Sequence, residues 1–314
     1  MRRSAPEYEA IVVGSGMTGG WAAKELTEAG LRTLVLDAGR PIVPNKDYRE
    51  HTPPWEMPFR GLGDRQTVAR RQAVQRHSVT FNIMDHIKWG GASGTFDGWG
   101  DRQTIGQRPN GIYVPRFRNV TTRHRDFIRG YGFQGGAGRA GWEAKARASG
   151  IGLAFKESLT RPGPWTMSFG GFGEMLPSPN NRATLHPTLV DAWGIPTLHI
   201  ECGWSDNELA IHRDMTVTAA ELLEVAGATD IRPDARGPST PGNTNHEMGT
   251  ARMGRDPTTS VLNGWNQTWD VPNVFVTDGA CMASSGNQNP SLTYMALTAR
   301  ACHYAVDALK RGDL

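Results

Sequence analysis

One short stretch near the amino end constrains this chain more than any other: Gly14-Ser15-Gly16-Met17-Thr18-Gly19, set between an apolar run and a helical one. Ala10-Ile11-Val12-Val13 is rich in branched apolar residues and reads as a short buried strand. Gly14 to Gly20 reads as a turn, with a helix N-terminus near Met17; Trp21 to Ala29 has helical spacing and stops at Gly30, a residue suited to the position just past a helix end. Thr33-Leu34-Val35-Leu36 then leads, as a second strand, to Asp37, 21 residues after Gly16. In such a unit Gly14 permits a tight turn, Gly16 lets backbone approach a pyrophosphate, and Gly19 lets the helix pack close to the strand. The helix start offers unpaired N–H groups and a positive dipole end to phosphates. Asp37 stands where an acid accepts the hydroxyls of an adenosine ribose. An ordinary glycine-rich turn is the bland alternative, and position alone does not choose between FAD and NAD.

The rest of the chain divides in character. Of its 38 glycines, 19 fall between residues 81 and 180, which argues for strands, turns and loops rather than long helices. Tyr113-Val114-Pro115 and Thr197 to Cys202 are expected as strands. Asn207 to Ala226 is expected as a helix with apolar Leu209, Ile211, Met215, Ala219, Leu222 and Leu223, ending at Gly227. Toward the carboxyl end, Asn273 to Asp278 is expected as a strand, and Ser291 to Lys310 as a helix preceded by Pro290. The formal net charge of +3 is too mild to imply nucleic acid or an anionic membrane as main partner, and Arg65, Arg70, Arg71 and Arg76 are expected to form one solvated face. Cys202, Cys281 and Cys302 lie in no paired spacing, so no disulfide framework is expected. No apolar run reaches membrane-spanning length, and no secretion signal is recognised. The expected location is therefore the cytoplasm, or the periplasm if a partner with an export signal carries the chain. No histidine spacing suits a metal; His86, His199, His212 and His303 are expected to be surface or packing residues. Trp89 or Trp99 is a minor candidate for the wall of a sugar pocket.

Three blocks follow one another near the carboxyl end: Asn245-His246-Glu247-Met248-Gly249-Thr250-Ala251-Arg252-Met253-Gly254, Pro272 to Gly279, and Ser284 to Thr293. In this order they resemble the C-terminal part of the glucose-methanol-choline (GMC) oxidoreductases. The similar branch holds pyranose oxidase, gluconate dehydrogenase flavoprotein subunits and glucoside 3-dehydrogenases. The resemblance covers about the first 60 and last 115 residues well, and the middle loosely. It implies an α/β fold: a Rossmann-like FAD-binding domain built from residues 1–78 and 241–314, with a β-rich α+β substrate domain over 79–240. It implies FAD as cofactor, His246 as catalytic base, and Asn289 as the second catalytic position. Gly14, Ser15, Gly16, Met17, Thr18, Gly19, Asp37, Asp278, Gly279, Asn289 and Pro290 would contact FAD. The implied activity is oxidation of a secondary alcohol on a sugar or polyol. A cytochrome, a dye or oxygen would accept the electrons, with a small companion subunit as a further partner. A neutral imidazole suits removal of a hydroxyl proton near neutral pH, while hydride chemistry belongs to the flavin.

The chain departs from that family by an internal shortening that falls between about Gly61 and Val79. A second Gly-Gly flavin-contact motif is expected near there and is absent from the sequence. Trp89-Gly90-Gly91-Ala92-Ser93-Gly94 aligns instead with the substrate-domain sheet. No histidine motif for covalent FAD attachment is present. A sheet missing strands would expose edges and apolar surface. An inactive family remnant, or one part of a multi-chain complex, is therefore the alternative reading.

Overall fold

The computed structural model describes residues 7–37, 45, 80–101, 111–139, 146, 150–161, 163–190, 194, 196–242 and 246–314. The arginine cluster between residues 65 and 76, and the site of the internal shortening, lie outside the described residues. The elements in chain order begin with β1 (Ala10–Val13), α1 (Met17–Glu28), β2 (Thr33–Leu36), β3 (Thr80–Met84), β4 (His86–Phe96), β5 (Ile112–Val114) and β6 (Tyr131–Arg139). Next come α2 (Leu153–Thr160), β7 (Trp165–Glu174), β8 (Arg182–Val190), β9 (Pro196–Glu201) and α3 (Asp206–Val225). The chain finishes with β10 (Thr229–Pro233), β11 (Met248–Thr250), a 3-10 turn at Gly279–Cys281 and α4 (Ser291–Arg311).

These helices and sheets form three groups. β1 and β2 pair in parallel, Val12 opposite Val35, as a sheet of two strands. A five-stranded antiparallel sheet runs β10-β4-β7-β6-β5, and a four-stranded one runs β11-β3-β8-β9. The glycine density predicts strands for the middle of the chain, and the five-stranded sheet is where they lie, with Trp89 to Gly94 inside β4. Packing gives the glycines a further reason. α3 lays Ala210, Ile211, Met215, Ala219 and Leu223 on that sheet, against Ile87, Ala92, Tyr131, Phe133 and Phe169. A Cβ on Gly171 would stand 2.2 Å from the Met215 sulfur, and one on Gly173 2.6 Å from Ile211. Side chains there would lift the helix off the sheet. α3 starts on a capping box in which Ser205 and Glu208 satisfy each other's ends.

The chain ends meet. Val12, Ala22 and Leu26 share one small core with Cys302 and Val306 of α4, and His303 bonds Glu25 across it at 2.9 Å. Two sequence expectations fail in this region. β1 is not a buried strand: Val12 is inside, but Ile11 is 62% and Val13 82% exposed, because β1 has a single neighbour among the described residues. Asn273 to Asp278 is not a strand either, and only Phe275 makes an isolated bridge, to Gln267. Its backbone is bonded locally instead, Val274 N–H to Val271 O and Val276 N–H to Asn266 O, so no ladder is left to form. The expected helices near both ends and in the middle are present within a residue or two at each boundary.

Candidate active site

The site grows from a corner of the fold. β3 and β4 are separated by Asp85 alone, and there the chain leaves the four-stranded sheet for the five-stranded one. The Asp85 carboxylate is buried and accepts the backbone N–H of His86 at 2.7 Å and of Gly242 at 2.8 Å. Burial nevertheless pushes its carboxyl above the usual carboxylate range. This anchoring fixes the start of β4 and brings the chain at Gly242 back beside it, a few residues before His246.

His246 is half-buried, and its Nδ1 lies 3.0 Å from Nδ1 of His86. The expectation for His86 is corrected here: it is wholly buried, and it faces the candidate base rather than serving as ordinary filler. Sequence spacing held no signal for this, since 160 residues separate the two rings. Nε2 of His86 approaches the Ser285 carbonyl at 3.4 Å. Burial first, then the His246 ring, holds His86 down at about 4. His246 is also lowered, by burial and by the Lys88 cation. Lys88 lies two residues along β4 from His86, its ammonium 4.5 Å from the centre of the Phe172 ring. Both shifts favour the neutral imidazole.

The block around His246 is tied to its neighbours through glycines. Gly249 has φ +90°, and a Cβ there would meet the Asn82 carbonyl at 2.1 Å, so β11 pairs closely with β3 only because no side chain intervenes. Gly279 is buried, and its Cβ would lie 2.5 Å from the Glu247 carbonyl. The Asp278–Gly279 turn thus abuts the chain immediately after His246. Asp278 caps that turn itself, accepting from Ala280 N–H at 3.0 Å.

Asn289 is exposed, and its Oδ1 accepts from Gln134 Nε2 of β6 at 2.8 Å. No hydrogen bond joins it to His246 among the described residues. The two are linked through the loop that Ser285 to Asn289 forms. Ser285 receives Met175 N–H on its hydroxyl at 3.0 Å and faces His86 with its carbonyl, while Asn289 reaches β6. Pro290 is buried and precedes α4, whose first turn has no side-chain cap. Asn289 lines a small open cavity with Tyr113 and Gln134, and a separate open cavity of about 600 Å³, whose lining includes neither His246 nor Asn289, is walled by Lys88, Trp89, Ser168, Phe172, Arg232 and Arg236. Trp89 belongs to that wall, under the Arg236 guanidinium, whereas Trp99 does not line it.

The glycine turn has the shape its sequence demands. Gly14 has φ +94°, and a Cβ on Gly19 would stand 1.9 Å from the Gly14 carbonyl, so the third glycine is required for helix to meet turn. A Cβ on Gly16 would meet nothing within 4 Å, so that position is open to an approaching group. Gly16 stands at the N-cap of α1 and supplies no side-chain cap. Asp37 accepts both the N–H and the hydroxyl of Ser15, at 2.7 and 2.6 Å. An open glycine cradle at an uncapped helix start, with an acid beside it, fits the pyrophosphate and ribose of a dinucleotide. Among the described residues no cluster of His, Cys, Asp and Glu suits a metal ion, and no helix is long and apolar enough to cross a membrane.

Comparison with known proteins gives the following. Residues 177–298 match the family model described as GMC oxidoreductase. The chain is 34% identical over 210 residues to 2-methyl-1,2-propanediol dehydrogenase of Mycolicibacterium austroafricanum, covering 62% of this chain and 35% of that protein. It is 34% identical over 179 residues to the fructose dehydrogenase large subunit of Gluconobacter japonicus, covering 55% and 31%. It is 33% identical over 123 residues to the gluconate 2-dehydrogenase flavoprotein of Pantoea cypripedii, covering 38% and 20%. The matches span about a third or less of the length of these relatives.

Proposed function

The chain carries, over residues 177–298, the C-terminal domain of the GMC oxidoreductases, and on that premise we propose that it is an FAD-dependent oxidoreductase acting on a secondary alcohol of a sugar or polyol. The observation that carries this reading is the His246 imidazole, set 3.0 Å from a buried partner ring on a segment that abuts the Asp278–Gly279 turn, with burial and Lys88 lowering its pKa. Dehydrogenases and a flavoprotein among the relatives support the reaction class.

In this reading residues 1–78 and 241–314 build the cofactor half and residues 79–240 the substrate half. Gly14, Ser15, Gly16, Met17, Thr18, Gly19, Asp37, Asp278, Gly279, Asn289 and Pro290 hold FAD, which when bound supplies the hydride acceptor. His246 takes the proton from the substrate hydroxyl, which a neutral imidazole does well near pH 7. Asn289 hydrogen-bonds the same hydroxyl, and the Gln134 amide that donates to its Oδ1 fixes its orientation. The uncapped start of α4 adds a positive dipole end that favours negative charge nearby. Trp89 and Phe172, with Arg236 and Lys88 over their rings, give the cavity aromatic walls and cationic donors that suit a sugar. Electrons would leave to a cytochrome, a dye or oxygen, and a small companion subunit is a further partner in this reading.

One observation favours a second reading. The two-stranded β1–β2 sheet leaves Ile11, Val13, Val35 and Leu36 exposed, as expected of a chain that needs a partner to complete the sheet, or of a remnant that binds FAD poorly. The absorption spectrum of the purified protein separates the two. Bands near about 375 and 450 nm, those of an oxidised flavin, together with dye reduction in a screen of sugars and polyols, are expected. A folded, colourless protein that stays colourless after incubation with FAD would leave the second reading standing.

A further inference from the structure

We infer that His86 is a positioning residue that holds His246 in the tautomer protonated on Nδ1, so that the Nε2 lone pair of His246 is the base. This rests on the reading of His246 as the proton acceptor and adds the atom and the partner.

The argument is one of donors and acceptors. A carbonyl oxygen only accepts, so the long approach of His86 Nε2 to the Ser285 carbonyl, 3.4 Å, favours the tautomer of His86 with its proton on Nε2. The ring is wholly buried and next to the Lys88 cation, so it carries one proton and not two. Its Nδ1 then presents a lone pair. The atom facing that lone pair at 3.0 Å is Nδ1 of His246. Two lone pairs in that position would repel, so His246 donates an Nδ1–H. Its remaining nitrogen, Nε2, is left unprotonated, and it has no hydrogen-bond partner among the described residues.

The arrangement also suits the protonated state. When Nε2 of His246 takes a proton, the imidazolium keeps the same Nδ1–H bond to His86, so neither ring reorganises. Of the charged groups around the pair, Lys88 favours a single proton on each ring. Asp85 spends its oxygens on the N–H groups of His86 and Gly242. Lys88 sits over Phe172, and Glu247 and Asp85 partly offset its charge. Phe172 meets the His86 ring edge-on, with centroids 6.3 Å apart, and limits its rotation.

The test uses the whole chain with its flavin. In protein labelled with nitrogen-15 at histidine, at a pH above the His246 titration, the ring spectrum should show His246 protonated at Nδ1 and bare at Nε2, and His86 the reverse. The His246→Gln and His86→Gln proteins assign the signals. Finding His246 protonated on Nε2 overturns the inference. In kinetics, His86→Leu should lower kcat by about ten- to a hundredfold with KM and bound flavin little changed. His86→Gln, whose amide oxygen also accepts, should recover most of that loss. Wild-type kcat with an unchanged pH profile in His86→Leu overturns it as well. If the leucine variant does not fold, the glutamine variant and the wild-type ring spectrum decide. Full turnover in His246→Ala would instead remove the base itself, and the tautomer is read without reference to turnover.

Discussion

At the scale of residues, the chemistry of this chain narrows to two imidazoles and an amide. His246→Ala should lower turnover of any accepted alcohol by at least about a hundredfold while bound flavin is retained, measured with a dye acceptor and the flavin spectrum. Because His246 acts as a base only when neutral and its titration lies below the ordinary 6.5, kcat/KM should rise with pH below that value and be flat across neutrality. His86 links the same corner to stability. Its ring takes a proton at about 6.5 when unfolded and about 4 when folded, so between those values the unfolded chain binds more protons. Stability is therefore fully present above about pH 6.5 and falls as pH drops toward 4, by up to about 3 kcal/mol for this group. Urea midpoints measured across that window should fall in the wild type and fall less in His86→Gln.

Among the elements, turns and helix ends decide what the residues are able to do. Gly16 and Gly19 separate cofactor binding from folding. Gly16→Ala places a methyl group in open space, so the melting temperature without flavin should hold while flavin affinity drops. Gly19→Ala drives a Cβ into the Gly14 carbonyl, so both should fall. Equal loss in the two variants would mean that the turn serves packing alone. At α3, Ser205→Ala removes one half of the capping box and should cost about 1 kcal/mol, read from denaturant midpoints with m unchanged.

Across the whole molecule, the five-stranded sheet and α3 carry the main core, β1, α1 and α4 form a smaller one from the chain ends, and Met84, Met175, Met248 and Tyr294 form a third. Leu26→Ala opens a cavity in the smaller core, worth about 2–5 kcal/mol if it transmits fully. Hydrogen exchange should then quicken over Val12 to Leu36 and around Cys302 to Val306, with Tyr131 to Phe133 still protected. Uniform quickening would show instead that both cores open as one unit. The exposed β1–β2 strands belong to this scale too. The chain's matches cover about a third or less of these relatives' length.

The sequence by itself determined the strand–glycine turn–helix at the amino end, the long helices α3 and α4, and the residues of the family blocks around His246 and Asn289. The turn and the helices are written in local spacing, since a φ above zero needs glycine at Gly14 and a helix face repeats every three or four residues, while the blocks around His246 and Asn289 were legible only as a resemblance to a family. The tertiary structure decided what spacing does not encode. It set His86 against His246, made glycines of β7 the floor under α3, and bonded the Asn273 to Asp278 segment to its own loop in place of a sheet. A contact between residues 160 apart depends on where two sheets meet at Asp85, and no local pattern in the chain records that corner.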